Sequence, residues 1–167
     1  AAEFAPEHDY QMQTDVNFNG AVRCAQAAVP AMRRAGRGKI VFISSLAAIF
    51  PLPFQGFYSA TKAALNAFSD SLGIELKPFG IETSAVMLND VKTDFTKNRR
   101  KTAEGDDIYG GRIEASVSKM ERSEQSGMTP QQVAETVAKI LKRKHLPPHK
   151  IVGLSNEFLG FLFRILP

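Results

Sequence analysis

The sequence is poor in cysteine and has no long apolar run, and each absence excludes a class of protein. The single cysteine, Cys24, excludes an internal disulfide and suits a reducing compartment, so we expect a cytoplasmic protein. Residues 1–15 are acidic and lack the basic and apolar regions of a signal peptide. The most apolar run, residues 158–167, is about half the length of a membrane-spanning helix.

That apolar run belongs to a C-terminal tail, residues 155–167, for which two interpretations stay open. The tail packs as an ordinary C-terminal segment, or it makes weak contact with a membrane surface. The first interpretation is favoured because the polar face that interfacial helices need is missing.

Sites for metal ions and nucleic acid have little support. No CxxC occurs, and the two prolines between His145 and His149 break any helix that would bring these histidines together. The net charge is +4, but the basic clusters at 97–101 and 139–144 carry no interleaved aromatic residues. We therefore expect neither a metal site nor a nucleic-acid partner.

The spacing of apolar residues predicts one α/β domain. At 167 residues with 44% hydrophobic content, the chain can bury its own core. The predicted elements are a helix at 17–35, a strand at 39–45, a helix at 59–77, a strand at 81–88, a polar stretch, a helix capped by Thr129 with Pro130 and Gln132, and a strand at 150–154. Strands that alternate with helices predict a parallel sheet, whose chemistry lies at the carboxyl ends of its strands.

The stretch "FYSATKAALNAF", residues 57–68, places Tyr58 and Lys62 on one helix face. A phenol with a pKa of about 10 is a poor base at neutral pH, but a nearby cation favours the phenolate. Ser45, at the end of the preceding strand, could hold a substrate oxygen. Tyrosine and lysine four residues apart also occur by chance on ordinary helices. The sequence around the pair therefore decides between a catalytic pair and two ordinary polar residues.

That context resembles the short-chain dehydrogenase/reductase family, from about Phe4 to Leu154. The family's Asn, Ser and Tyr-x-x-x-Lys tetrad maps onto four residues in "DVNFNG", "KIVFISS" and "FYSATK", namely Asn17, Ser45, Tyr58 and Lys62. The resemblance implies hydride transfer between NAD or NADP and a small-molecule carbonyl or alcohol.

The resemblance also implies a role for each member of the tetrad. Tyr58 would exchange a proton with the substrate oxygen, and Lys62 would hold the nicotinamide ribose and lower the tyrosine pKa. Ser45 would orient the substrate oxygen. Asn17, at the start of its predicted helix, would support a water-borne proton relay to Lys62.

"LNDVKTDF", residues 88–95, resembles the family's Pro-Gly-x-Val-x-Thr segment. Val91 and Thr93 match, whereas Leu88 and Asn89 replace the proline and glycine. The resemblance implies cofactor contacts from Asn89, Val91 and Thr93, and the turn can survive because asparagine tolerates a left-handed backbone. A plain surface turn is the alternative.

A group of apolar residues beside Tyr58 matches the region where the family lines its substrate pocket. The group contains Leu46, Phe50, Leu52 and Phe54, with Gln55 as one polar member, and Ser45 and Tyr58 would complete the pocket. Any one of these could equally be an ordinary core residue. Together with a predicted substrate flap at 94–128, they favour a bulky apolar substrate that is steroid-like or lipid-like.

The family's glycine-rich cofactor turn has no counterpart in the sequence, since "GRGK" at 36–39 fits neither a dinucleotide fingerprint nor a phosphate loop. We therefore expect residues 1–154 to form part of a doubly wound parallel sheet, Rossmann-like, whose N-terminal strands and glycine-rich turn are missing. Its inner strand would have a bare edge.

Two hypotheses follow from the missing turn. In the first, these residues belong to an oxidoreductase of which the sequence is a fragment, inactive by itself. In the second, they form a catalytically silent interaction module. The helices at 17–35 and 59–77, which the family uses for dimerisation, predict a homo-oligomer. We favour the first hypothesis because an intact tetrad has no evident role in a silent module.

Overall fold

Three parallel strands form the sheet that positions the site in the computed structural model, which describes residues 1–99 and 104–153. They are β1 (Gly38–Ser45), β2 (Ile81–Leu88) and β3 (His149–Ile151), in the order β1-β2-β3. Ser45 lies opposite Leu88 in the register, so the carboxyl ends of β1 and β2 are level. The predicted parallel sheet is confirmed.

In the part of the chain that the structure describes, five α-helices accompany this sheet: α1 (Glu7–Thr14), α2 (Gly20–Ala35), α3 (Gly56–Leu76), α4 (Arg112–Gln125) and α5 (Pro130–Leu141). On one face of the sheet, residues of α2 and α3 form a core with Phe42 of β1 and Leu65 of α3 at its centre. On the other face, Ile140 of α5 packs with Val86 of β2. Helices therefore lie on both faces, as a doubly wound fold requires.

The predicted start of the first helix is wrong. Helical structure begins at Glu7 and runs to the end of α2, because a π-helical turn, Asp15–Asn19, joins α1 to α2. The helix α1 is polar and buries no residue, so it lacks the apolar periodicity on which the prediction depended. Asn17 consequently lies inside a continuous helical stretch and does not open a helix.

The predicted start of α5 is confirmed in detail. The Thr129 hydroxyl accepts a hydrogen bond from the Gln132 amide at 3.3 Å, and the Gln132 side chain accepts one from the Thr129 amide at 2.8 Å. Pro130 occupies the first helical position, where its missing N–H costs no hydrogen bond. These contacts fix the start of the helix and so place Ile140, which is 2% exposed, in the core.

Burial differs between the two long strands. β2 is almost wholly buried, as a parallel strand covered on both faces is. In β1 only Phe42 and Ser44 are buried, and Ile43 is 43% exposed. β1 pairs with β2 on one side and with no other described strand, so the expected bare edge is present among residues 1–99 and 104–153.

The predicted flap, residues 94–128, contains turns and the helix α4 where the structure describes it. The apolar tail, 155–167, lies outside the described residues. Among the residues described, no helix is both long enough and apolar enough to cross a membrane.

The close packing of α3 on β2 gives a stability prediction. A methyl group added at Gly73 would collide with the Thr83 hydroxyl, which donates a 2.7 Å hydrogen bond to the Ser69 carbonyl. We expect Gly73→Ala to lower the free energy of unfolding by about 1–3 kcal/mol, measured by urea denaturation, because overpacking shifts α3 or breaks that bond.

Gly56 is the matched control, since it lies on the same helix and its added methyl group meets nothing within 4 Å. Gly56→Ala should leave stability unchanged or raise it by up to about 1 kcal/mol. Equal effects of the two substitutions would show that α3 and β2 are not in close contact at Gly73.

Candidate active site

The carboxyl ends of β1 and β2 enclose a cleft of about 370 Å³. Its walls contain all of the predicted substrate-binding and cofactor-binding residues except Phe54 and Lys62: Ser45, Leu46, Phe50, Leu52, Gln55, Tyr58, Asn89, Val91 and Thr93. The level register of the strands brings Ser45 and the loop after β2 to one edge. The first turn of α3 begins at the same edge and carries Tyr58.

Ser45 is held at the mouth of this cleft by its own turn. Its hydroxyl accepts a 3.1 Å hydrogen bond from the Ala47 amide and so caps the short turn Leu46–Ala48. The Ser45 side chain also lowers the pKa of Tyr58, and both residues line the cleft. Ser45 and Tyr58 therefore lie near one another in the wall of one cleft, in position for one small oxygen-bearing group.

Burial raises the pKa of Tyr58 above its usual value of 10.0. The hydrogen bond from Ser45 and the charge of Arg99 act in the opposite direction, whereas the charges of Glu124 and Asp90 raise the pKa further. The expected lowering by Lys62 is thus not found in this structure. Residue spacing predicted that the lysine and the tyrosine lie close together. It did not predict the burial of the phenol, which has the larger effect on the pKa of Tyr58.

Lys62 lies one turn beyond Tyr58, with its ammonium nitrogen 5.8 Å from the centre of the tyrosine ring. That nitrogen donates a 2.9 Å hydrogen bond to the Ile43 carbonyl of β1. Burial lowers the pKa of Lys62 from its usual value of 10.5. The ammonium group is therefore held against the sheet and away from bulk water.

Asn17 acts on Tyr58 through a neighbouring residue in this structure. Its side-chain amide donates a 3.2 Å hydrogen bond to the Thr61 hydroxyl, which donates a 2.8 Å bond to the Tyr58 carbonyl. Asn17 therefore anchors the first turn of α3 to the π-helical turn. Its relay of protons to Lys62 stays a prediction.

A larger, mainly apolar chamber of about 660 Å³ adjoins the cleft, and the sequence did not predict it. The two spaces share four wall residues: Gln55, Tyr58, Phe95 and Met120. The remaining apolar walls come from the N-terminal helices, the first turn of α3, and α4, and include Met12, Val16, Phe57, Ile113 and Val117. No sequence signal could have found this space, because α1 has no apolar period.

Phe54 lies on the chamber side, although it was grouped with the residues of the cleft. Its backbone has a φ of 63°, in the left-handed region, and its ring meets Tyr109 edge to face at 5.5 Å. The Tyr109 hydroxyl donates a 2.5 Å hydrogen bond to Glu3. These contacts close the chamber between the N-terminal segment and the flap.

The site residues fit one end of a nicotinamide cofactor. The backbone of the loop after β2 is pinned to the end of α4, since Lys92 donates a 2.8 Å hydrogen bond to the Met128 carbonyl and Val91 pairs with Met128. This pinning presents Asn89 and Thr93 to the cleft that contains Tyr58. The chain offers no glycine-rich turn for the cofactor's phosphates.

Within residues 1–99 and 104–153 the structure forms no group of three or more potential metal ligands. His145 hydrogen-bonds with Glu82 at 2.7 Å, and His149 hydrogen-bonds with Asp70 at 2.9 Å. Each histidine thus has its own carboxylate, and the two do not share a site.

A model of the short chain dehydrogenase family matches residues 1–104. A 3-ketodihydrosphingosine reductase from Bacteroides thetaiotaomicron is 38% identical over 156 residues, which are 92% of this chain and 58% of that relative. The dehydrogenase/reductase SDR family member 7B of Xenopus tropicalis is 35% identical over 94% of this chain and 47% of its own length. The chain thus spans about half of the relatives it matches.

Solved structures agree with these sequence matches. A short-chain dehydrogenase from Streptomyces avermitilis superposes with a TM-score of 0.81 at 25% identity, covering 99% of this chain and 61% of that one. The closed form of a serine dehydrogenase complexed with NADP⁺ superposes with a TM-score of 0.74 at 25% identity, covering 90% and 58%.

Because Lys62 is partly buried, we expect it to lower the free energy of unfolding by an amount that depends on pH. Because its pKa is lower in the folded state, the unfolded chain binds more protons above that pKa, and stability rises with pH up to about 10.4. We expect Lys62→Met to remove this dependence, so that the free energy of unfolding of wild type rises relative to that of the variant as the pH is raised toward about 10. Urea denaturation at several pH values measures the difference.

Lys119 is exposed and provides the control. The difference in the free energy of unfolding between Lys119→Met and wild type should be the same at every pH measured. A Lys62→Met difference that is constant with pH would contradict the lowered pKa.

Proposed function

Because the chain belongs to the short-chain dehydrogenase/reductase family, we propose that it carries the catalytic part of an NAD(P)-dependent oxidoreductase that interconverts a carbonyl and an alcohol. The observation that carries the proposal is the presence of Ser45 and Tyr58 in the wall of one cleft, with the Lys62 ammonium nitrogen 5.8 Å from the centre of the tyrosine ring. Two hydroxyls that line one cleft can hold one substrate oxygen between them.

In the direction of reduction, Tyr58 acts as the acid. Its raised pKa keeps the phenol protonated at neutral pH, ready to give its proton to the oxygen as negative charge develops there. The Ser45 hydroxyl orients the oxygen and donates a hydrogen bond to it. Nicotinamide, when bound, supplies or accepts the hydride, and Lys62, Asn89, Val91 and Thr93 are the residues that would hold it.

The cofactor is NAD or NADP, and we propose that its nucleotide end is bound outside these 167 residues. Two observations support this part of the proposal. The sequence contains no glycine-rich turn, and the chain spans only 58% of the Bacteroides relative. In this proposal the sequence is a fragment that needs the missing part for turnover.

The two adjoining spaces support a bulky, apolar substrate. The carbonyl would lie in the cleft between Ser45 and Tyr58, and the apolar body would extend past Phe95 and Met120 into the chamber. Their volumes of about 370 and 660 Å³ fall in the usual range for small-molecule sites. The relative named as a 3-ketodihydrosphingosine reductase acts on a lipid ketone, in line with this substrate class.

We also propose that the protein acts in the cytoplasm as a homo-oligomer. The exposed Cys24 suits a reducing compartment. Ile74 on α3 is 77% exposed, which suits a helix that pairs with a second copy. A silent interaction module would use the same surface, but it would leave the assembled Ser45, Tyr58 and Lys62 unexplained.

The intact protein from its native cell should lose turnover on Tyr58→Phe, by at least about a hundredfold, because the proton donor is removed. Binding of NADH and NADPH, followed by fluorescence, should stay nearly unchanged. Lys62→Ala should reduce both turnover and cofactor binding.

Tyr10→Phe is the matched control, since Tyr10 stacks on Phe57 and lines neither the cleft nor the chamber. It should retain wild-type turnover. Equal activity of wild type and Tyr58→Phe would refute the mechanism.

A narrower chamber should select against long substrates. Val117→Phe places a larger side chain in the chamber wall, so kcat/KM for a ketone of about twelve carbons should fall about tenfold or more, while that for about four carbons should change little. Leu141→Phe, at an exposed position of α5 that lines neither space, is the control for added bulk. If both ketones lose activity equally on Val117→Phe, the chamber does not hold the substrate.

A further inference from the structure

The loop after β2 is fastened to α4 by a buried carboxylate. Glu124 is 8% exposed and accepts a 2.6 Å hydrogen bond from the Thr96 hydroxyl. It also pairs with the Arg99 guanidinium, which is itself mostly buried. A charge pair taken out of water gains little stability over an apolar pair of similar volume, so its presence here calls for another explanation.

The pair fixes an aromatic ring beside Tyr58. The Arg99 guanidinium carbon lies 5.5 Å from the centre of the Phe95 ring, and Phe95 lies 6.3 Å from the Tyr58 ring. Phe95 is 56% exposed, so core packing alone does not hold it. A cation over the face of the ring supplies the missing restraint.

Phe95 stands where the cleft and the chamber meet, and it borders both of them. Its position therefore decides how wide the passage beside Tyr58 is. Movement of the loop that carries Phe95 would change both the passage and the surroundings of the phenol.

We propose that the Arg99–Glu124 pair is a positioning device for Tyr58, which clamps Phe95 against the tyrosine ring at the passage between the cleft and the chamber. The inference rests on the proposed function, in which Tyr58 is the proton donor. Arg99 and Glu124 act through Phe95 and through their charges, and neither hydroxyl of the site hydrogen-bonds to them in the described part of the chain.

Charged groups face Tyr58 from three elements. They are Lys62 on α3, Asp90 and Arg99 in the loop after β2, and Glu124 on α4. The charge of Glu124 raises the pKa of Tyr58 and that of Arg99 lowers it. The two members of the clamp thus act on the phenol in opposite directions, which distinguishes their electrostatic action from a general loosening of the flap.

The test follows the ring carbons of the tyrosines by NMR during a titration above about pH 8. The sequence has three tyrosines and no tryptophan, and Tyr58→Phe identifies the signal of Tyr58. Glu124→Gln should lower the pKa of Tyr58, and Arg99→Gln should raise it. The double variant should lie between the two single variants.

Loosening of the flap predicts a different result. Water would then reach the phenol in both single variants, and both would lower the pKa because its main cause is burial. Shifts of the same sign, or no shift in either variant, would overturn the proposal.

Thr96→Val tests the clamp without a change of charge. The variant removes the hydrogen bond to Glu124, so Phe95 should be held less firmly and selectivity between ketones of about twelve and about four carbons should decrease. In the intact protein kcat should fall while the KM for the cofactor stays unchanged. Unaltered selectivity would count against the clamp.

These readouts separate failure of the clamp from failure of the proposed function. The titration needs no turnover, so shifts of opposite sign in a protein whose Tyr58→Phe variant stays active would support the clamp and refute the mechanism. Loss of turnover in Tyr58→Phe, combined with shifts of the same sign, would support the mechanism and overturn the clamp.

Discussion

The parallel pairing of β1 with β2 is the constraint on which the site depends. With Ser45 opposite Leu88, both strands end at one level, and the helix that connects them has to begin at that edge. Tyr58 lies in its first turn for that reason. A shift of the pairing by one residue would turn each side chain of β1 to the other face. The backbone register thus brings the Ser45 and Tyr58 hydroxyls to the same edge of the sheet.

Burial acts on the two ionisable groups of the site in a consistent way. It raises the pKa of Tyr58 and lowers that of Lys62, so in each case the neutral form is favoured. A partly buried lysine with one carbonyl partner reduces stability, and the role proposed for Tyr58 would explain its presence there. A phenol whose neutral form is favoured fits the proposed part of Tyr58 as proton donor.

Sequence patterns predicted the elements whose residues carry their own signal. β2 was predicted with its observed bounds, and the capping box of α5 was predicted residue by residue. The cleft followed from a family resemblance that the matched family model and relatives confirm, and the roles of its residues stay predictions. The start of α1 was missed because a polar helix has no apolar period. The sign of the Tyr58 pKa shift was missed because it depends on burial by residues far away in the sequence.

The chamber is the feature of the structure that sequence patterns predicted least. One wall comes from the first 17 residues and another from α4, and Glu3 meets Tyr109 across 106 positions. Neither segment has a motif, and the space exists only because the fold brings them together over Tyr58. All of its walls belong to this chain, whereas the glycine-rich turn for a nucleotide does not. The described residues therefore form more of the proposed substrate side of the site than of its proposed cofactor side.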